Sequence, residues 1–196
     1  MRRLWGSLVA VTLFTTGFAA HAEGLSVGQV APAWSKLEGT DGQTHGSADF
    51  ANDQGLLIVF FSIACPDCEL YLDRIRETAA SLKKQGIATV LVNVSVENGE
   101  SLDKMKAFGK EHDLSMPYVK DPAQRLGKSF GATVTPEFFL LDKAGRLVYR
   151  GALDDHWKAS KVKKPYVRQA ARQMLAGEPI AVPSTDPFGC TIDYED

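Results

Sequence analysis

The sequence predicts a single α/β domain organised around a sheet with parallel strands at its centre. Three observations carry that prediction. Two continuous apolar runs of strand length, "LLIVFF" (56–61) and "ATVLVNVSV" (88–96), have the composition of strands covered on both faces. Between them lies an amphipathic stretch of helical period, so strand, helix and strand follow in the order of a right-handed βαβ unit. Further on, "EFFLLD-KAGR-LVYRG" (137–151) places a glycine-containing turn between two β-rich segments and reads as a hairpin.

Taken in order, residues 23–54 are turn-rich, and "GTDGQT" (39–44) reads as the tip of a hairpin. Residues 66–85 fit a helix. Cys68, Leu72, Ile75, Ala79 and Leu82 recur at spacings of three and four, charged side chains fill the other face, and Gly86 closes it. Pro66 suits the first turn, where an N–H is not needed. Leu102, Met105, Phe108 and His112 mark a second amphipathic helix, "MPYVKD" (116–121) a short strand, and "PAQRLGKSFG" (122–131) a brief helix stopped by Gly131. A last helix spans 165–176 with Gly177 as its stop. The remaining segment, rich in Pro, Ser, Thr and acid, is expected to be extended.

The N-terminus supplies an address. "MRR" precedes an apolar run of sub-spanning length interrupted by Ser and Thr, and Ala20-His21-Ala22 forms a small-residue cleavage pattern. The expected organisation is a signal peptide at 1–22, a domain at 23–178 and an extended tail at 179–196. The expected location is periplasmic or otherwise exported, with no stable membrane span once the leader is removed. A formal net charge of −2 without long basic runs argues against a nucleic-acid partner. The 196 residues and 44% hydrophobic content suffice for one core.

Chemistry concentrates at Cys65-Pro66-Asp67-Cys68, where the first apolar strand turns into a helix. At a helix start, positions i and i+3 face the same side, so the two sulfurs can come within disulfide reach. The field of unpaired N–H groups favours a thiolate on Cys65, making it the expected nucleophile. Cys68, one turn deeper, fits the resolving role. Asp67 opposes a second negative charge beside it. Two other uses of the pair are weaker. A structural zinc site needs four ligands, and one C-x-x-C gives two. A staple closing so short a loop stabilises little in the chain-entropy account.

With Thr135-Pro136 standing before the hairpin, the constellation resembles the thioredoxin superfamily, and the insertion between the βαβ unit and Thr-Pro resembles its exported TlpA/ResA-like branch, grouped with redoxin and AhpC/TSA-like sequences. The similarity covers about 25–176. It implies a thioredoxin fold with an N-terminal β-hairpin, a central mixed sheet flanked by helices and an extended C-terminal arm. It further implies a thiol–disulfide oxidoreductase with Cys65 and Cys68 as the redox-active disulfide. Pro136 would be cis against the sulfurs, and Thr135 would pair with a substrate chain. Protein thiols and disulfides of the exported compartment are the implied partners. No dissociable cofactor or metal is implied, because the electrons reside on sulfur. Two departures stand out: Ala64 occupies the usual tryptophan position, and Pro-Asp replaces the usual dipeptides.

Three further readings come from the same residues. Ser62 three positions before Cys65 matches half of a peroxiredoxin motif, though Ile58 fills its proline position, so thiol peroxidase is the enzyme alternative. Sco-like copper modules share the fold, and Asp154, Asp155 and His156 are adjacent, but the cysteine spacing is one residue short. A copper-handling module is the non-enzyme alternative. Finally, the tail carries a Gly-Cys-x-Ile element like that of some exported redoxin-like proteins, and Cys190 is either a relay or resolving thiol or an inert one. Trp34 and Trp157 are expected in the core, and Glu69 as a charge complement to the helix N-terminus.

Overall fold

The computed structural model describes residues 24–195; the leader expected at 1–22 lies outside them. The apolar run after Gln54 forms β3 (Gly55–Phe60), every residue of which is buried. Side chains alternate across a strand, so Leu57 and Val59 enter one core, and Leu56, Ile58 and Phe60 the other. This two-sided burial is why the segment reads as a continuous apolar run and not as an alternation. Parallel pairing joins it to β4 (Ile87–Asn93), which pairs in parallel with β5 (Tyr118–Lys120). On the other side β7 (Glu137–Asp142) and β8 (Leu147–Gly151) continue the sheet antiparallel.

The expected N-terminal hairpin is β1 (Leu37–Gly39) and β2 (Thr44–His45), turning through Gly42 at φ 80° and completing the sheet order β2-β1-β5-β4-β3-β7-β8. One face carries α1 (Pro66–Lys83), α2 (Leu102–Glu111) and α4 (Tyr166–Leu175), through core side chains that include Leu72, Ile75, Met105 and Val167. The opposite face carries α3 (Arg125–Phe130) and the N-terminal segment, through Leu126, Phe130 and Leu25. Burial of Leu72, Ile75 and Leu82 stabilises the packing of α1 by about 1.5–3 kcal/mol per side chain. The expectation of a mixed sheet flanked by helices is met.

The arm matches the expectation of an extended segment. It is also hydrogen-bonded to the domain at two places. Pro183 and Thr185 bond the backbone of Arg150 on the free edge of β8, and Thr185 Oγ1 meets both Ala152 N and Tyr149 Oη. A strand edge that would otherwise offer unpaired groups is thereby covered. Cys190–Thr191 then forms β9, antiparallel to β6 (Val134–Thr135), with Thr135 opposite Cys190 and Val134 opposite Thr191. Trp157 is not in the core: it is 48% exposed, whereas Trp34 is half-buried against Phe50.

Candidate active site: three sulfurs and a buried carboxylate

Cys65 takes the N-cap position of α1 with extended backbone, because the proline after it starts the helix. Its Sγ accepts from Cys68 N at 3.4 Å and lies 3.0 Å from Thr135 O. The Thr135–Pro136 peptide bond is cis, and both residues are buried. Their loop is tied down from behind. Glu137, fully buried, accepts from Thr133 N at 2.7 Å and from Arg150 at 3.0 Å, and Arg150 also bonds Leu25 O and Gly131 O. The structure therefore brings together Cys65, Cys68, Thr135 and Pro136, as the C-x-x-C and Thr-Pro motifs require.

The bonded pair is not the expected one. Cys65 is joined to Cys190, 125 positions away, with Cα atoms 6.0 Å apart, and Cys68 is a free, buried thiol. The physical reason lies in the arm: pairing of β9 with β6 sets Cys190 opposite Thr135, whose carbonyl borders Cys65 Sγ. Burial pushes the Cys68 thiol up to about 12, and the carboxylates of Glu100 and Asp67 add to the rise against a 3.5 Å contact from Ser62 N. A proton is thus held firmly on the inner sulfur.

Glu100 is the residue that sequence reasoning missed. It is 3% exposed, and its carboxylate accepts from Ser62 Oγ at 2.7 Å, Ile63 N at 3.0 Å and Asn93 Nδ2 at 2.6 Å. These three donors offset the cost of burying it. Nothing in "VENGES" sets Glu100 apart from Glu97; the difference comes from the turn of helix at 98–100 folding over Ser62. Lys120 Nζ donates to Glu100 O, Asn93 Oδ1 and Ser95 O, which pins that turn to β5. Burial lowers the lysine's pKa.

The other sequence candidates resolve differently. The Ser62 hydroxyl is engaged by Glu100 and by Ala64 N, so it is not an open peroxide donor. Among the described residues the potential metal-ligand cluster is Cys65, Asp67 and Cys190. Its two sulfurs are bonded to each other here, and Asp67 Oδ2 lies 3.7 Å from Cys190 Sγ. His156 is outside that cluster. Asp154 accepts from Arg74 at 2.6 Å, and Arg74 also bonds the carbonyls of His156 and Trp157, so the Asp-Asp-His segment is a braced loop. A cleft of about 170 Å³, lined by Cys65, Cys190, Glu100, Ser62 and Thr135, opens beside the disulfide. A larger cavity, about 740 Å³ between Trp34, Leu37, Lys120 and Arg125, does not touch the sulfurs.

The chain is similar to proteins already known. The chain is 27% identical over 130 residues to the thiol-disulfide oxidoreductase ResA of Geobacillus thermodenitrificans, covering 66% of this chain and 71% of the relative. A ResA of Bacillus cereus is 25% identical over 140 residues, 71% and 77% of the two chains. Among solved structures, a hypothetical protein from Sinorhizobium meliloti superposes with a TM-score of 0.79 at 29% identity, covering 88% of this chain and 96% of its own. The thioredoxin domain of a thiol-disulfide oxidoreductase from Bacteroides vulgatus shares the fold, with a TM-score of 0.55 at 21% identity, covering 65% and 89%. Residues 26–166 match the Redoxin profile, and with the C-x-x-C helix start and the Thr-Pro loop in place the chain belongs to the Redoxin family.

Proposed function

We propose that the chain, an oxidoreductase of the thiol–disulfide type, works outside the cytosol and exchanges electrons with partner proteins through Cys65. The observation that carries the reading is the position of Cys65 Sγ, at the mouth of α1, against the carbonyl before cis-Pro136, and bonded to another sulfur. A partner chain lies along Thr135-Pro136, a mixed disulfide forms on Cys65, and Cys68 displaces the partner. The free thiol of Cys68 beneath Cys65 supports this resolving role. Its high pKa means that it attacks only when the proton is drawn off. Glu100, which shares Ser62 with the inner sulfur, is the group nearest that task on these contacts. Cys190 serves as a second exchange partner for Cys65. The leader-like sequence at 1–22 is the support for export.

Peroxidase chemistry is the second reading, favoured by one observation: a Cys65–Cys190 bond is what a sulfenic acid on Cys65 would form with Cys190. One experiment separates the two. Turnover of a disulfide-bonded protein substrate should vanish in Cys65→Ser and should accumulate a mixed disulfide when Cys68→Ser is combined with Cys190→Ser, so that neither second thiol can displace the partner. Rapid peroxide consumption that survives Cys68→Ser, with no trapped partner, would instead establish the peroxidase.

A further inference from the structure

β9 lies along Thr135, where the exchange proposed above seats a partner chain. It takes the hydrogen-bonding edge of β6 next to Pro136, and its cysteine is already bonded to Cys65. The seat is shaped for this segment. A Cβ on Gly189 would stand 2.6 Å from the Thr135 carbonyl carbon and 3.0 Å from Pro136 N, both backbone atoms that cannot swing away. Ile192 N donates to Thr133 O at 2.9 Å, and the Ile192 side chain packs on the core face that holds Leu126 and Phe130. Beyond it, the buried Gln124 donates to Asp193 O and accepts from Glu195 N, each at 2.8 Å, while Tyr194 Oη donates to Ala132 O at 2.9 Å. Backbone pairing supplies affinity in such strand addition, and side-chain seats supply selection.

We propose that residues 189–195 are a resident image of the substrate. The groove beside Pro136 takes an extended protein segment whose cysteine directly follows a glycine and precedes an apolar residue by two positions. It becomes free when Cys65 exchanges its bond to Cys190 for one to Cys68. This inference rests on the exchange chemistry proposed above. In the exchange Cys68 gives up its proton and its sulfur attacks Cys65 Sγ. The Cys65–Cys68 bond forms, the Cys65–Cys190 bond breaks, and the electron pair leaves on Cys190, which takes up a proton. One disulfide is present before and after, so no outside oxidant or reductant is consumed. A partner dithiol then enters the vacated groove and reduces Cys65–Cys68 in two exchanges, becoming a disulfide itself.

The test uses two thiol peptides, one spanning residues 187–195 and one identical except for valine at the Gly189 position. Capture of each on Cys65 is followed by intact mass after acid quenching, in the full chain and in Cys190→Ser. Reduced glutathione serves as the unshaped control thiol. The glycine peptide should be captured about tenfold or more faster than the valine peptide, and Cys190→Ser should react faster than the full chain by a similar factor. In Gly189→Val, disulfide mapping should find Cys65–Cys68 in place of Cys65–Cys190. Equal capture of both peptides with normal glutathione exchange, or an undisturbed Cys65–Cys190 bond in Gly189→Val, overturns the groove assignment alone. Absence of exchange with glutathione as well overturns the exchange chemistry, and this inference with it.

Discussion

Ser62 and Glu100, 38 positions apart, meet at 2.7 Å, the serine hydroxyl donating to the carboxylate. The same serine turns its backbone N–H toward Cys68 Sγ. A negative charge is therefore wired, through one residue, to the sulfur that must lose a proton.

Glu100→Gln tests that link. Removing the charge takes away one cause of the raised Cys68 pKa, so the thiol should titrate below about 12. A thiolate absorbance titration of the reduced protein measures it. The amide also turns a donor toward Ile63 N–H or Asn93 Nδ2, which should cost about 1–3 kcal/mol in urea unfolding. An unmoved titration would show that the carboxylate does not act on the inner sulfur.

Stability at alkaline pH follows from the same thiol. The folded-state pKa of Cys68 lies above its ordinary value of 9.0, so the folded chain holds the proton more tightly than the unfolded one. That stabilisation is complete below pH 9.0 and is lost as pH climbs toward 12. Melting temperatures across this window should fall more steeply for the wild-type chain than for Cys68→Ala. Parallel curves would count against the shift.

Arg150→Met should destabilise the fold by about 2–4 kcal/mol, because it strands the buried Glu137 carboxylate and frees the carbonyls of Leu25 and Gly131. Chemical denaturation gives the number. Since Glu137 also holds Thr133, the loop before Pro136 should loosen, visible as faster amide exchange at Thr133.

Gln124→Ala removes both hydrogen bonds that pin Asp193 and Glu195. In reduced protein, where no sulfur holds the arm, loss of about 1–2 kcal/mol of docking should raise proteolytic cleavage of residues 189–195 by roughly 5–30-fold. With the Cys65–Cys190 bond intact the effect should largely disappear. Equal sensitivity in both redox forms would mean that Gln124 does not anchor the arm.

What could be anticipated from the sequence divides along physical lines. The apolar runs of β3 and β4, the helix start at Pro66 and the stop at Gly131 express local rules of burial, capping and backbone freedom, and each element stands where those rules put it. Thr135-Pro136 was legible because it repeats a spacing relative to C-x-x-C. The bond from Cys65 to Cys190 was open only as one of two readings of the tail thiol: β9 has two residues, too few for any alternation, and its register with β6 is set by contacts at Gln124 and Tyr194 that no local pattern announces. Glu100 was hidden for a related reason, since its burial depends on a turn closing over a different strand end.

The hydrogen bonds of Thr185 to β8 lie outside the segment that exchanges sulfur. If they persist once Cys190 departs, four residues of leash, 186–189, separate a fixed post from the liberated thiol, five Cα steps that reach about 17 Å at full extension. So short a tether keeps its end near Cys65 at an effective concentration in the millimolar range. Dilute small thiols would then lose the race for Cys65 to the protein's own sulfur, while a partner that brings its own docking strand would compete on equal terms.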